Sequence, residues 1–126
     1  MALLKREAVK AAAEKKQGFR TERVPVPEIE EGAELLVREL TSDEAERFGF
    51  SMMNADGKTD VRLAKGKRVE IVQFAAIDEN GERLFGKDDQ KWLSELSNDV
   101  IQRVSDAVLV LSGLAKEDKE PEEKNA

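Results

Sequence analysis

Apolar residues along the chain fall into short runs whose spacing changes from region to region. Arg23-Val24-Pro25-Val26-Pro27 alternates, and two of its positions are prolines. A proline cannot donate to a ladder, so this segment fits an edge strand. Glu30-Glu31-Gly32 supplies a turn. The chain then returns through Leu35 to Leu40, with Leu35 and Val37 on one face and Leu36, Arg38 and Leu40 on the other. An antiparallel β-hairpin is expected over about 22–40.

Helical spacing follows. Thr41-Ser42-Asp43-Glu44 places a hydroxyl cap ahead of acidic residues, which suits the free amides of a helix start. The helix turns Ala45, Phe48 and Met52 inward and stops near Asn54-Ala55-Asp56-Gly57. Residues 57–67 are polar, hold Gly57 and Gly66, and read as a loop. The segment 68–77 is ambiguous. Its β-branched residues favour a strand, while its apolar positions run nearly all round a helix. Period does not separate the two in so short a run. Asp78-Glu79-Asn80-Gly81 is a turn, and Arg83-Leu84-Phe85 a short extended piece.

The last third is more regular. Lys87-Asp88-Asp89 opens a helix carrying Trp92, Leu93 and Leu96. Ser97-Asn98-Asp99 caps another, expected over about 98–112, with Val100, Val104, Ala107, Val108 and Leu111 along one face. Gly113 fits its C-terminal cap. The fold class is therefore α+β, a helix-rich small domain with one hairpin and a C-terminal amphipathic helix.

Charge divides the chain further. Residues 1–23 hold seven basic side chains against three acidic ones, although the whole 126-residue chain carries −6. Three parts are expected: a basic helical arm over 1–21, a globular domain over 22–114 and a disordered acidic tail over 115–126. The arm reads as a solvated alanine-rich helix, as a segment that docks on something acidic, or as one that packs on a neighbouring subunit. The tail has no apolar residue larger than alanine and adds nothing to a core.

Composition narrows the chemistry. Cysteine, histidine and tyrosine are all missing, so thiol chemistry, the commonest general base and the commonest metal ligand are missing too. With glycine at the sixth position of an EF-hand loop, Gly57 would put Met52 first and Leu63 twelfth, and Gly81 would put Ala76 first and Lys87 twelfth. Neither frame supplies calcium ligands. Glu28, Glu30 and Glu31, or Asp88 and Asp89, read as charged turns and caps, not as an acid–base pair. The glycines form no phosphate-binding loop. Lys58 and Lys65 to Arg68 form a basic patch without an aromatic residue to stack on bases. No catalytic, cofactor-binding or metal-ligating residue is expected. Action through the surface is left, with Trp92, Leu96, Val104, Val108, Leu111 and Leu114 as candidate protein contacts. No apolar run reaches the roughly 18–20 residues of a membrane span.

Four stretches in order resemble the tail assembly chaperones of long-tailed, lambda-like phages: Leu36-Val37-Arg38-Glu39-Leu40-Thr41 with the acidic helix start after it; Ile77-Asp78-Glu79-Asn80-Gly81-Glu82-Arg83-Leu84-Phe85; Lys87-Asp88-Asp89 with Leu93 behind it; and Val108-Leu109-Val110-Leu111-Ser112-Gly113-Leu114. The resemblance covers roughly residues 22–114. It implies a non-enzymatic protein of the host cell cytoplasm that binds the tape measure protein, recruits tail tube protein, self-associates and is absent from the mature virion. It also implies that a programmed frameshift can append a second domain, for which Glu123-Lys124-Asn125, with A-rich codons, is a candidate position. No small-molecule substrate, membrane or nucleic-acid partner is expected. Two other readings fit the same features: a structural or adaptor subunit of the tail, and a regulator that touches nucleic acid through the basic arm.

Overall fold

The computed structural model describes residues 3–51, 56 and 66–115. Along the chain lie helix α1 (Arg6–Glu14), strands β1 (Thr21–Pro25) and β2 (Glu34–Arg38), helices α2 (Ser42–Ser51) and α3 (Lys67–Ala75), strand β3 (Ala76–Ile77), helix α4 (Gln90–Leu93) and helix α5 (Asn98–Leu111). A 3-10 turn at Lys87–Asp89 leads into α4. The fold is α+β. The expected place of Met52, most of the expected loop at 57–67, the basic residues Lys58 and Lys65, and the tail from 116 onward fall outside the described residues.

The hairpin forms as the alternation predicts. β1 pairs antiparallel with β2, from Thr21 opposite Arg38 to Pro25 opposite Glu34. The proline-bearing strand sits on the edge, where a missing amide costs no ladder bond. Gly32, at φ +77°, takes the left-handed conformation that the turn requires. The hairpin is not the whole sheet. Ala76 and Ile77 pair with Val37 and Leu36 to add β3. The ambiguous segment 68–77 is thus both things in turn, a helix through Ala75 and then a strand. As a helix it is covered on all sides: Ile71, Val72, Gln73 and Ala75 are all buried. The turn after it closes on Asp78, whose side chain accepts from the amides of Asn80 and Glu82 at 2.8 and 3.0 Å.

The core lies between the sheet, α3 and α5. Val24, Val26 and Val37 meet Ile71, Val72, Val100, Val104 and Val108 there, and Phe48 of α2 closes one side. α5 begins at Ser97, whose hydroxyl accepts from the amide of Val100 at 3.2 Å. It ends with Gly113 at φ +78°, where the amides of Gly113 and Leu114 reach back to the carbonyls of Val110 and Leu109. Leu114 turns back so that its Cδ2 lies 3.6 Å from where a Cβ on Gly49 would be. Ser97→Ala is expected to destabilise the fold by about 1 kcal/mol in urea titration, the usual loss for a helix N-cap.

α1 stands apart from this core. None of its residues is buried, and Lys5, at its start, provides no side-chain cap.

Candidate interaction surface

The feature that could hold a partner is an apolar cleft of about 290 Å³ at the first half of α5. Val100, Ile101 and Val104 make its floor with Val72 of α3, and Leu35 of β2 closes one wall. Phe85, Trp92, Leu93 and Leu96 build the opposite wall, and Ile29 from the hairpin turn overhangs it. Among the described residues, every one that lines it is apolar. Such a cleft binds by excluding water from carbon surface.

Local chemistry holds these walls in place. Trp92 meets Phe85 edge to face, with centroids 5.7 Å apart, an arrangement the ring quadrupoles favour. Its indole N–H donates to Asp89 Oδ1 at 3.0 Å. That bond fixes the ring yet leaves Trp92 49% exposed, while Leu93 beside it is fully buried. On the hairpin side, Arg103 of α5 donates to both carboxylate oxygens of Glu28, at 2.9 and 2.5 Å, and to the carbonyl of Pro25. The hydrogen bonds from Arg103 hold the Glu28 carboxyl well below its ordinary range. This pair ties the turn to α5 and so sets Ile29 at the lip.

The six residues singled out from sequence do not share one surface. Trp92 and Leu96 line the cleft and are exposed or half-buried. Val104 lies in its floor at 0% exposure, and Val108 is also at 0%, in the core. Both valines face their own domain because the apolar stripe of α5 packs on α3 and the sheet. Leu111 and Leu114 are at the far end of α5. Ile29 and Phe85 were not singled out. Ile29 is a lone apolar residue among glutamates, and that isolation in an acidic turn is its only signal.

A second, more open depression lies between Gly66, Lys87 and Lys91. Among the described residues that line it, no titratable group is buried. Among the described residues no cluster of three carboxylates is placed to hold a metal ion, and no helix is long and apolar enough to cross a membrane.

The sequence matches the phage tail assembly chaperone family over residues 7–125. The chain belongs to that family. A chaperone family points to a non-enzymatic role in tail assembly within the host cell, carried out through contacts with other proteins. The fold agrees. The structure of the bacteriophage HK97 tail assembly chaperone is similar to this one with a TM-score of 0.58, at 21% identity, over 85% of this chain and 98% of that one. No curated protein matches the chain.

Proposed function

We propose that this chaperone binds the tape measure protein in the host cytoplasm, recruits tail tube protein around it, and leaves before the virion is complete. The observation that carries the reading is the wholly apolar cleft beside a half-exposed tryptophan. Tryptophan in a desolvated pocket is the typical anchor of a protein interface. A tape measure is a long chain with many equivalent places to bind. Many weakly held copies along it gain avidity from one another, and each is still displaceable by a tube subunit. Self-association of the chaperone supplies that linkage. A frameshifted longer form would add the contact to tube protein.

The test is co-expression of the tagged chaperone with the tape measure protein of the same phage. A soluble complex with several copies per tape measure is expected. Trp92→Glu places a charge at the anchor and is expected to lower the recovered tape measure more than roughly tenfold, the scale of losing one interface hot spot. A tape measure that stays insoluble beside unaltered chaperone, while the chaperone appears in purified particles, would replace this reading with that of a virion subunit.

A further inference from the structure

We infer that the acidic C-terminal segment of this chain, residues 116–126, docks on two guanidiniums that Arg47 and Arg83 hold against the ring of Phe74, so that the chain masks its own cationic patch. The patch is separate from the apolar cleft, and the inference does not rest on what the cleft binds.

Phe74 lies half-buried near the end of α3. Arg83, from the turn after β3, places its guanidinium carbon 4.8 Å from the ring centroid, and Arg47 of α2 places its own 5.5 Å away. Arg47 also stands 5.7 Å from the ring of Phe48, which tilts against Phe74 with centroids 5.8 Å apart. A guanidinium held against aromatic carbon keeps its charge and its N–H donors. The two cations are no more than about 10 Å apart, comparable to the screening length in 0.1 M salt, so they repel. Arg83 makes one long bond, from Nη2 to the carbonyl of Gln73 at 3.5 Å. Among the described residues neither arginine pairs with a carboxylate, although every other described arginine does. Glu46 and Glu82, their chain neighbours, are exposed and form no ion pair with them. A segment bearing carboxylates would relieve the repulsion and accept bidentate hydrogen bonds.

The occupant follows from where the described chain leaves the domain. Leu114 turns back after α5 and seats beside Gly49, its Cδ2 3.6 Å from where a Cβ would stand. Gly49 is two residues beyond Arg47 on α2, about 3 Å further along the helix axis. The chain thus departs alongside the helix that carries one of the two arginines. Residues 116–126 hold Glu117, Asp118, Glu120, Glu122 and Glu123 against three lysines. At about 3.3–3.6 Å per extended residue, Glu117 to Glu120 reach roughly 10–20 Å from Leu114. That is enough to pass round a helix about 10–12 Å across. So short a tether keeps these carboxylates near millimolar effective concentration at the patch, which favours the chain's own segment over that of a second copy.

Because the chain has no cysteine, a full-length Asn125→Cys variant takes a single paramagnetic tag at a neutral position. In nitrogen-15 spectra the signals of Arg47, Phe74 and Arg83 are expected to broaden beyond those of the rest of the domain. Glu117→Gln with Asp118→Asn and Glu120→Gln is expected to abolish that broadening, and these substitutions leave every contact of the described domain in place. Arg47→Gln with Arg83→Gln is expected to abolish it too, as is salt near 1 M, where the screening length falls to about 3 Å. Broadening that survives the neutralised segment, or that centres elsewhere, would overturn the inference. Tagged copies are also mixed with untagged, isotope-labelled ones. Broadening of the untagged copies would overturn it in favour of exchange between chains. A hexaglutamate peptide then probes the masking. Its affinity, read from the side-chain signals of Arg47 and Arg83, is expected to rise roughly fivefold or more when the segment is neutralised. Equal affinity for both forms, or binding to neither, would sink the inference. None of these outcomes bears on recovery of the tape measure protein through Trp92, so the two readings fail separately.

Discussion

Replacing Arg38 by alanine is expected to destabilise the chaperone by about 3–5 kcal/mol in urea titration at neutral pH, the usual cost of removing one partner of a buried ion pair. Arg38 lies on β2, the central strand, and its side chain is only 4% exposed. It donates to Glu44 Oε1 and Oε2 at 3.0 and 3.3 Å, and to the carbonyls of Glu39 and Phe74 at 2.8 and 2.9 Å. One guanidinium therefore ties the sheet to the start of α2 and to the end of α3. Phe19 lies 5.9 Å from it, ring centroid to guanidinium carbon. Glu44 has a second duty. Its Oε1 accepts from the amide of Thr41 at 2.9 Å, and its own amide donates to the Thr41 hydroxyl at 3.1 Å. This is a capping box. Without Arg38, the half-buried carboxylate keeps its cap but loses its counter-charge.

The pH dependence follows from the same pair. Burial raises the Glu44 carboxyl, but the hydrogen bonds from Arg38 and from the Thr41 amide, with the attraction of Arg38, together leave it below its ordinary value of 4.5. A carboxyl lowered by folding stabilises the native state above its unfolded value, and that stabilisation is lost as pH falls through the folded value. The difference in stability between the unaltered protein and Arg38→Ala is expected to be largest near neutrality and to shrink once pH falls below about 4.5. A difference that stayed constant through that range would mean Arg38 acts through its packing and its carbonyl hydrogen bonds and not through Glu44.

What the sequence could and could not reveal follows from which signals are local. The hairpin, the cap at Ser97 and the turn at Asp78 to Gly81 were legible because each depends on a few neighbouring residues. The helical start at Thr41 to Glu44 was legible too, but not the second use of Glu44. Arg38 shares a strand face with Leu36 and Leu40 by its spacing, but nothing nearby in the sequence shows what would meet a guanidinium there. Only the arrival of α2 and α3 from later in the chain buries it. The segment 68–77 resisted assignment because its halves obey different periods, and Ala76 and Ile77 become a strand through pairing with β2, a contact roughly forty residues back. The candidate surface was half legible. Helical spacing grouped Trp92 and Leu96 with Val104 and Val108 as apolar stripes. It could not show that the core covers the valines and leaves the tryptophan at the edge.

Val104→Asp and Trp92→Glu separate those two halves. Val104 sits at 0% exposure between the sheet and α3. A carboxylate there would have no counter-charge, and burying an unpaired charge costs several kcal/mol even after relaxation. Removing the valine side chain adds a loss of packing. A domain of this size has a total stability of only about 5–15 kcal/mol. Val104→Asp is therefore expected to abolish the cooperative unfolding transition or to leave the protein insoluble. Trp92→Glu gives up an edge-to-face ring contact, one exposed hydrogen bond and the burial of about half the indole, a loss on the order of 2–3 kcal/mol. It is expected to keep a cooperative transition while losing the tape measure protein. Were Val104→Asp to unfold normally and Trp92→Glu to fail to fold, α5 would not be the packed centre of the domain. Trp92 would then be core, and the cleft could not be the surface by which the chaperone binds.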